Sequence, residues 1–204
     1  MKHTAMVMLL AAGSCGYAKV APIAAENRVA VCVPARVDLS VTLAKDEARK
    51  MFAAIAVALD WRDSLACPAD ALRVTLDAQT PADFRPHALA YALPYEGTHI
   101  HVFYDRIQAA VPAGSVRHLL AHVLVHEISH ILEGAARHSD AGIMKASWDQ
   151  ADYNSMAWKP LAFTSIDVYL IRRGLAGRSG TLAQFDARAS GSIELGNDTP
   201  NAGN

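Results

Sequence analysis

His118–Met144 reads HLLAHVLVHEISHILEGAARHSDAGIM and carries the strongest structural signal in the sequence. Its apolar residues recur at the three- and four-residue spacing of a helix that buries one face. Ser115 stands where an N-cap is expected, and Gly134 stands where a left-handed glycine commonly ends a helix. The sequence therefore predicts a long amphipathic helix with these apolar positions: Val116, Leu119, Leu120, Val123, Leu124, Ile128, Ile131 and Leu132.

The last turns of this helix carry His126, Glu127 and His130 in the order H-E-x-x-H. Residues four apart lie on one face of a helix, so two imidazoles at this spacing can hold one zinc ion. The carboxylate of Glu127 can then reach a water molecule on the metal and act as a general base. The motif predicts zinc-dependent hydrolysis, and the competing interpretation is an incidental run of histidines on a core helix.

Two further histidines, His118 and His122, extend the same four-residue run towards the helix start. His118 and His130 would lie about 18 Å apart along the axis at ~1.5 Å per residue, so they cannot share an ion. The pair of His122 and His126 lacks the acid, because Val123 follows its first histidine. We interpret His118 and His122 as structural or surface residues.

Downstream of Gly134, the chain reads AARHSDAGIM and supplies His138 and a Gly-Ile-Met triplet that ends at Met144. This order of H-E-x-x-H, Gly, His and Met resembles the metzincin metallopeptidases. The spacing, HExxHxxxGxxxH, brings Gly134 one residue later and His138 two residues later than the usual family pattern. It resembles a small bacterial secreted form that shares the Gly-Ile-Met triplet and a tryptophan like Trp148.

The resemblance implies a role for each residue of this core: zinc ligands His126, His130 and His138, general base Glu127, and a Met-turn under the metal at Met144. Because of the altered spacing, Asp140 stays open as an alternative third ligand. An aspzincin arrangement would instead recruit Asp149 or Asp152. The resemblance also implies that Tyr153, past the Met-turn, can approach the metal, although a core or surface tyrosine fits the same position.

The rest of the chain predicts an α+β fold of the zincin or metzincin type. We expect a twisted mixed sheet of about four strands, a backing helix, the active-site helix and a small helical C-terminal subdomain. The sequence patterns predict strands at 28–34, 72–76 and 99–104, and a mostly irregular segment at 78–97. They predict helices at 42–59 and at 165–175, the second of which is capped by Thr164. The end of the first helical segment, at 57–61, alternatively forms a strand. By resemblance, strand 99–104 is expected at the sheet edge that pairs with bound peptide.

Three regions divide the predicted chain: a secretory signal at 1–25, a catalytic domain at 26–186 and a disordered polar tail at 187–204. A signal implies a secreted or periplasmic protein, and Cys15 offers a less favoured lipoprotein alternative. Cys32 and Cys67 would then remain as a pair, either joined in a disulfide or as two buried thiols.

Composition narrows the possible partners. A net charge of −1 gives no nucleic-acid footprint and no polybasic membrane patch, and no span is expected in the mature chain. With 52% apolar residues, a substantial core can form. We therefore expect a zinc-dependent peptidase that acts on peptides or proteins. The alternatives are an inactive zincin-fold protein that binds zinc or a partner in the cell envelope, and an envelope domain without metal.

Overall fold

The computed structural model describes residues 27–34, 38–93 and 98–180. The predicted signal at 1–25, its Cys15 and the polar tail at 187–204 lie outside the described residues. The elements in chain order are β1 Arg28–Val33, α1 Leu39–Ala53, β2 Ala58–Asp63, β3 Leu72–Asp77, β4 Ala90–Ala92, β5 His99–Phe103, α2 Tyr104–Ala110, α3 Val116–Glu133, α4 Gln150–Met156 and α5 Ser165–Arg178.

One mixed sheet organises the first half of the domain, in the strand order β2-β1-β3-β5-β4. The first four of these strands run parallel, and β4 runs antiparallel to β5. This confirms the predicted α+β fold with a mixed sheet, and the sheet has five strands where about four were expected. The additional strand is the three-residue β4, which lies inside the segment predicted to be mostly irregular.

The predicted position of the sheet edge is wrong. Strand β5 lies between β3 and β4, so the outermost described strand on that side is β4, Ala90–Ala92. Tyr104 begins helix α2 rather than ending the strand. The segment does form a strand, His99–Phe103, but alternation along one strand does not indicate which strands pair with it.

The backing helix α1 is shorter at its C-terminus than predicted. It begins after Asp38, whose side chain accepts a hydrogen bond from the Ser40 backbone, and it ends at Ala53. Ala56 then adopts a left-handed φ of 59° and turns the chain into β2. The alternative in which the end of the helical segment becomes a strand is therefore confirmed, with bounds Ala58–Asp63.

Helix α3 occupies the centre of the domain and is buried along nearly its whole length. It contacts α1, α5, β4 and β5, and every residue from Leu119 to Leu132 is buried. The expectation of one solvated face is wrong, because elements pack on several sides of the helix. Ser115 occupies the N-cap position without a capping side-chain hydrogen bond, whereas Gly134 ends the helix at φ 65° as predicted.

Two short-range capping boxes begin the C-terminal helices. Thr164 caps α5 as predicted, in a box completed by Asp167. Helix α4 was not predicted, yet Asp149 and Asp152 form its own box. Helix α5 lies very close to the end of α3 at Gly174. A Cβ at this position would fall 1.7 Å from the Leu132 carbonyl oxygen.

Cys32 and Cys67 form a disulfide with Cα atoms 5.8 Å apart, which joins β1 to the loop after β2. This pairing is one of the two arrangements that the sequence left open. Within the described ranges, no helix is both long enough and apolar enough to cross a membrane.

Candidate metal centre

The structure brings together His126, His130 and His138, the three histidines predicted to bind zinc. One ring nitrogen from each lies within 4.8 Å of the other two, so the group could hold a metal ion. The Nε2 atoms of His126 and His130 are 3.0 Å apart. Two nitrogens on one tetrahedral zinc ion, at 2.0–2.1 Å from it, are separated by ~3.3 Å. The donor set and its spacing therefore fit zinc.

Backbone carbonyls orient the two helix histidines. Nδ1 of His126 lies 2.9 Å from the Ile143 oxygen, and Nδ1 of His130 lies 3.1 Å from the Ala135 oxygen. A carbonyl only accepts hydrogen bonds, so each Nδ1 carries the proton and donates. Each Nε2 is then free to donate its lone pair to a metal, as ligating histidines commonly do.

Burial keeps the two helix histidines neutral, because it lowers the pKa of His126 to about 4 and that of His130 to about 4. The pKa of the more exposed His138 is also lowered, by partial desolvation and by the charge of the neighbouring Arg137. Metal binding requires the unprotonated imidazole. The rings are therefore in the metal-binding protonation state at neutral pH without having to release protons.

Glu127 projects into the same site from α3. Its side chain is buried, and burial raises its pKa to about 8, while a hydrogen bond from the Ala92 backbone acts in the opposite direction. A divalent cation at the three histidines would favour the ionised form and lower this pKa. Ala92 belongs to β4, so the edge strand contacts the acid that was predicted to be the general base.

The predicted Met-turn is tightly held. Ile143 and Met144 are fully buried, and Gly142 precedes them at φ 77°. The Ile143 backbone donates to the Ala162 carbonyl at 3.0 Å, and its own carbonyl accepts from His126. This contact joins the turn directly to the first of the three histidines.

An open cleft of about 460 Å³ contains the site. Strand β4 and the residues before it line one part of its wall, and the segment after the Met-turn lines another. Trp148 packs edge-on against the His126 ring, with centroids 5.4 Å apart. Tyr153 also lines the cleft and is partly buried, which raises its pKa. Its position is compatible with the role that the resemblance implied.

The competing acidic ligands lie elsewhere. Asp140 is exposed and is not part of the histidine group, which is the sole set of three or more potential ligands found in the described ranges. Asp149 and Asp152 cap α4, and both lie beside the Lys145 ammonium group. Helix capping and the ion pairs with Lys145 therefore explain the presence of both carboxylates without a metal ion.

His118 and His122 also lie apart from the histidine group. Nδ1 of His118 is 2.9 Å from a Glu47 carboxylate oxygen. His122 is fully buried; its Nδ1 lies 2.7 Å from the His118 carbonyl and its Nε2 accepts from the Leu161 backbone at 3.1 Å. Both are structural histidines, which is one of the two interpretations that the sequence allowed.

Two features of the site were not predicted from the sequence. One is the contact between Ala92 and Glu127, which depends on the unpredicted strand β4. The other is a polar cluster around the third histidine, in which Arg137 and Ser139 both bind Asp167. Asp167 follows the predicted cap Thr164 by three residues, but no local signal linked it to the site.

The fold is similar to that of an archaemetzincin from Methanopyrus kandleri, whose crystal structure matches this chain with a TM-score of 0.53 at 13% identity. The match covers 75% of this chain and 98% of the archaemetzincin chain. No protein-family model matches the sequence, and no curated protein matches it. At this identity the likeness establishes the fold alone. The chain therefore has a metzincin-like fold with three histidines that could hold a metal ion.

Proposed function

We propose that the protein is a secreted or periplasmic zinc metallopeptidase of the metzincin type, which hydrolyses peptide bonds in peptide or protein substrates. One observation carries the proposal: three neutral imidazoles and the carboxyl of Glu127 converge in an open cleft beside a sheet edge. The ligands in this proposal are His126, His130 and His138. Met144 is the Met-turn residue.

The edge strand offers main-chain groups for an extended substrate. Hydrogen bonds to β5 alternate along this segment: Leu93 N–H donates to the His99 oxygen at 3.3 Å, and Phe103 N–H donates to the Leu89 oxygen at 2.9 Å. Antiparallel alternation turns the main-chain groups of Ala90 and Ala92 away from β5. Glu127 engages the Ala92 N–H, while Ala90 can pair with a peptide laid along the edge.

The proposed chemistry assigns one task to each group. Zinc bound at the three histidines would lower the pKa of a water molecule from ~15.7 towards ~7 and polarise the scissile carbonyl. Glu127 takes a proton from the attacking water and then delivers it to the nitrogen of the leaving amine. Its buried position suits the second step, because burial favours the protonated carboxyl.

Turnover of an unstructured protein substrate tests this proposal. The full chain with zinc should cleave a reduced, carboxymethylated protein; a chelator should stop the reaction and added zinc should restore it. Glu127→Gln should keep the zinc and lower kcat by roughly 10²–10⁴-fold, the usual contribution of a general acid–base group. His118→Gln is the control on the same helix and should leave kcat unchanged. Undiminished turnover in Glu127→Gln would refute the mechanism.

Two features support a location outside the cytoplasm. The disulfide between Cys32 and Cys67 is typical of oxidising compartments, and the sequence at 1–25 reads as a secretory signal. Fractionation of cells that express the full chain should find the protein in the periplasm or medium. Recovery of the reduced protein from the cytosol alone would contradict this location, and detergent-dependent recovery would favour lipid attachment at Cys15.

A further inference from the structure

His138 is held differently from the other two histidines of the site. His126 and His130 are buried, lie on α3 and donate through Nδ1 to backbone carbonyls. His138 is exposed and lies on the loop between α3 and α4, and no side-chain hydrogen bond of its ring is found within the described ranges. Its ring packs against the rings of His126 and His130, with centroids 5.3 Å and 5.0 Å away, and the backbone that carries it sets how it approaches them.

That backbone is held on both sides of His138 by a single carboxylate. Oδ1 of Asp167 accepts a hydrogen bond from Arg137 Nη1 at 2.8 Å and another from Ser139 Oγ at 2.6 Å. Arg137 Nη2 also donates to Ser139 Oγ at 2.7 Å, which closes the cluster. The residues immediately before and after His138 are thus tied to one atom.

Asp167 is itself fixed and stays ionised. Its Oδ2 accepts from the Thr164 backbone at 2.8 Å, and its side chain is fully buried. Burial alone would raise its pKa, but the hydrogen bonds from Ser139, Arg137 and Thr164 outweigh that effect and lower it. Arg137 also contacts the Glu133 carboxylate in the last turn of α3 at 3.3 Å, so the cluster connects α3, the loop and α5.

Helix capping does not explain this arrangement. A capping box needs the Thr164 hydroxyl, the Asp167 carboxylate and their two backbone groups, and such boxes commonly lie at the surface. Here the same carboxylate is buried and takes two further donors from a segment 28 and 30 residues away. Burying a carboxylate is costly unless it is paired, so these contacts favour one conformation of the loop.

We propose that Asp167 is a positioning residue that fixes His138 for metal binding by holding Arg137 and Ser139. The inference rests on the proposed function, because it takes His138 as the third metal ligand. Asp167 does not touch the metal or substrate. It restricts the loop that carries His138 to one conformation, as residues that hydrogen-bond to the surroundings of metal ligands commonly do.

The test measures zinc affinity of the full chain by competition with a chromophoric chelator, and Co²⁺ absorption reports the coordination geometry. Ser139→Ala and Asp167→Asn should each weaken zinc binding by roughly 10- to 100-fold, the usual effect of changing a group behind a ligand. Ser139→Ala is the milder variant and keeps the test valid if Asp167→Asn folds poorly. Each variant should also alter the Co²⁺ spectrum.

Two controls separate positioning from a general loss of structure. Thr164→Ala removes the capping hydroxyl but leaves Asp167 in contact with Arg137 and Ser139, so it should lower the Tm without changing zinc affinity. In a His138→Ala background, Ser139→Ala should have no further effect, because the ligand that it positions is absent. A Ser139→Ala effect of equal size in both backgrounds would overturn the inference.

The outcomes also distinguish this inference from the proposed function. If the wild type binds zinc and cleaves substrate but Ser139→Ala and Asp167→Asn bind zinc normally, the positioning role is wrong and the peptidase stands. If the wild type binds no zinc, both fail. If Thr164→Ala weakens zinc binding as much as Asp167→Asn does, the role of Asp167 is structural and the inference is overturned.

Discussion

The two parts of the candidate metal centre are built in different ways. Helix α3 presents His126 and His130 from a buried backbone with hydrogen bonds every turn, so their spacing follows from the helix itself. The loop after Gly134 presents His138 from exposed backbone, and contacts with distant α5 hold it. Local helical structure therefore positions two of the three histidines, and contacts between distant segments position the third.

The largest expected effect is on zinc affinity when one histidine from each part is removed. His126→Ala should weaken zinc binding by roughly 10³-fold. Zinc sites with four protein ligands bind with about 10–16 kcal/mol in total, so one ligand contributes up to about 4 kcal/mol. His138→Ala should weaken it less, because this position is exposed to solvent and a water molecule can replace the missing ring. Competition with a chelator measures both values. Equal losses would break the distinction between helix and loop ligands.

The second prediction compares the glycines that flank the loop. A Cβ at Gly142 would lie 2.2 Å from the Ala162 oxygen, and the residue has φ 77°, so Gly142→Ala should lower the free energy of unfolding by roughly 2–5 kcal/mol. Gly134 has φ 65° with open space around it, so Gly134→Ala should cost about 1–2 kcal/mol. Urea unfolding of the zinc-free proteins measures both.

The control for this pair is Gly134→Asn, since asparagine tolerates the left-handed conformation better than alanine does. It should be less destabilising than Gly134→Ala. If Gly142→Ala proved no more destabilising than Gly134→Ala, the Met-turn would not be packed as tightly against Ala162 as the structure indicates.

The third effect concerns pH and separates a structural histidine from the ligands on the same helix. Burial lowers the pKa of His122 to about 4, below its ordinary value of 6.5. Between these values the unfolded chain binds a proton that the folded chain does not, so stability is fully present above pH 6.5 and falls as the pH drops towards 4. His122 should contribute roughly 2–3 kcal/mol to this loss.

Urea unfolding of the zinc-free protein between pH 7 and 4 checks this prediction. His122→Gln removes the titrating group, so its stability should depend less steeply on pH than that of the wild type. His118→Gln is the matched control, because His118 is the neighbouring non-ligand histidine of α3 and lies beside a carboxylate. An unchanged slope in His122→Gln would mean that folding does not lower the pKa of the His122 ring.

Sequence periodicity could predict the helical part of the site because its determinants are local. The H-E-x-x-H spacing, the stop at Gly134 and the cap of α5 at Thr164 each depend on residues within a turn or two of each other. The strands predicted at 28–34, 72–76 and 99–104 form at 28–33, 72–77 and 99–103, and each is long enough to show a pattern.

The parts that escaped prediction depend on contacts between distant segments. Strand β4 has three residues, Ala90–Ala92, which is too short for alternation to show, and it forms by pairing with β5. The polar cluster beside His138 joins Asp167 to Ser139 and Arg137, which lie 28 and 30 positions away in the sequence. Helix α4 is the exception, because its capping box of Asp149 and Asp152 was a local signal that could have been recognised.

The zinc content of the purified full chain is the first measurement to make on the proposed metal centre. It is determined by elemental analysis after dialysis against excess zinc and removal of loosely bound metal. We expect about one zinc per chain in the wild type and in Glu127→Gln, and a large loss in a double variant that lacks His126 and His130. A wild-type protein that is folded, has its disulfide intact and retains no zinc would show that the three histidines do not form a zinc site.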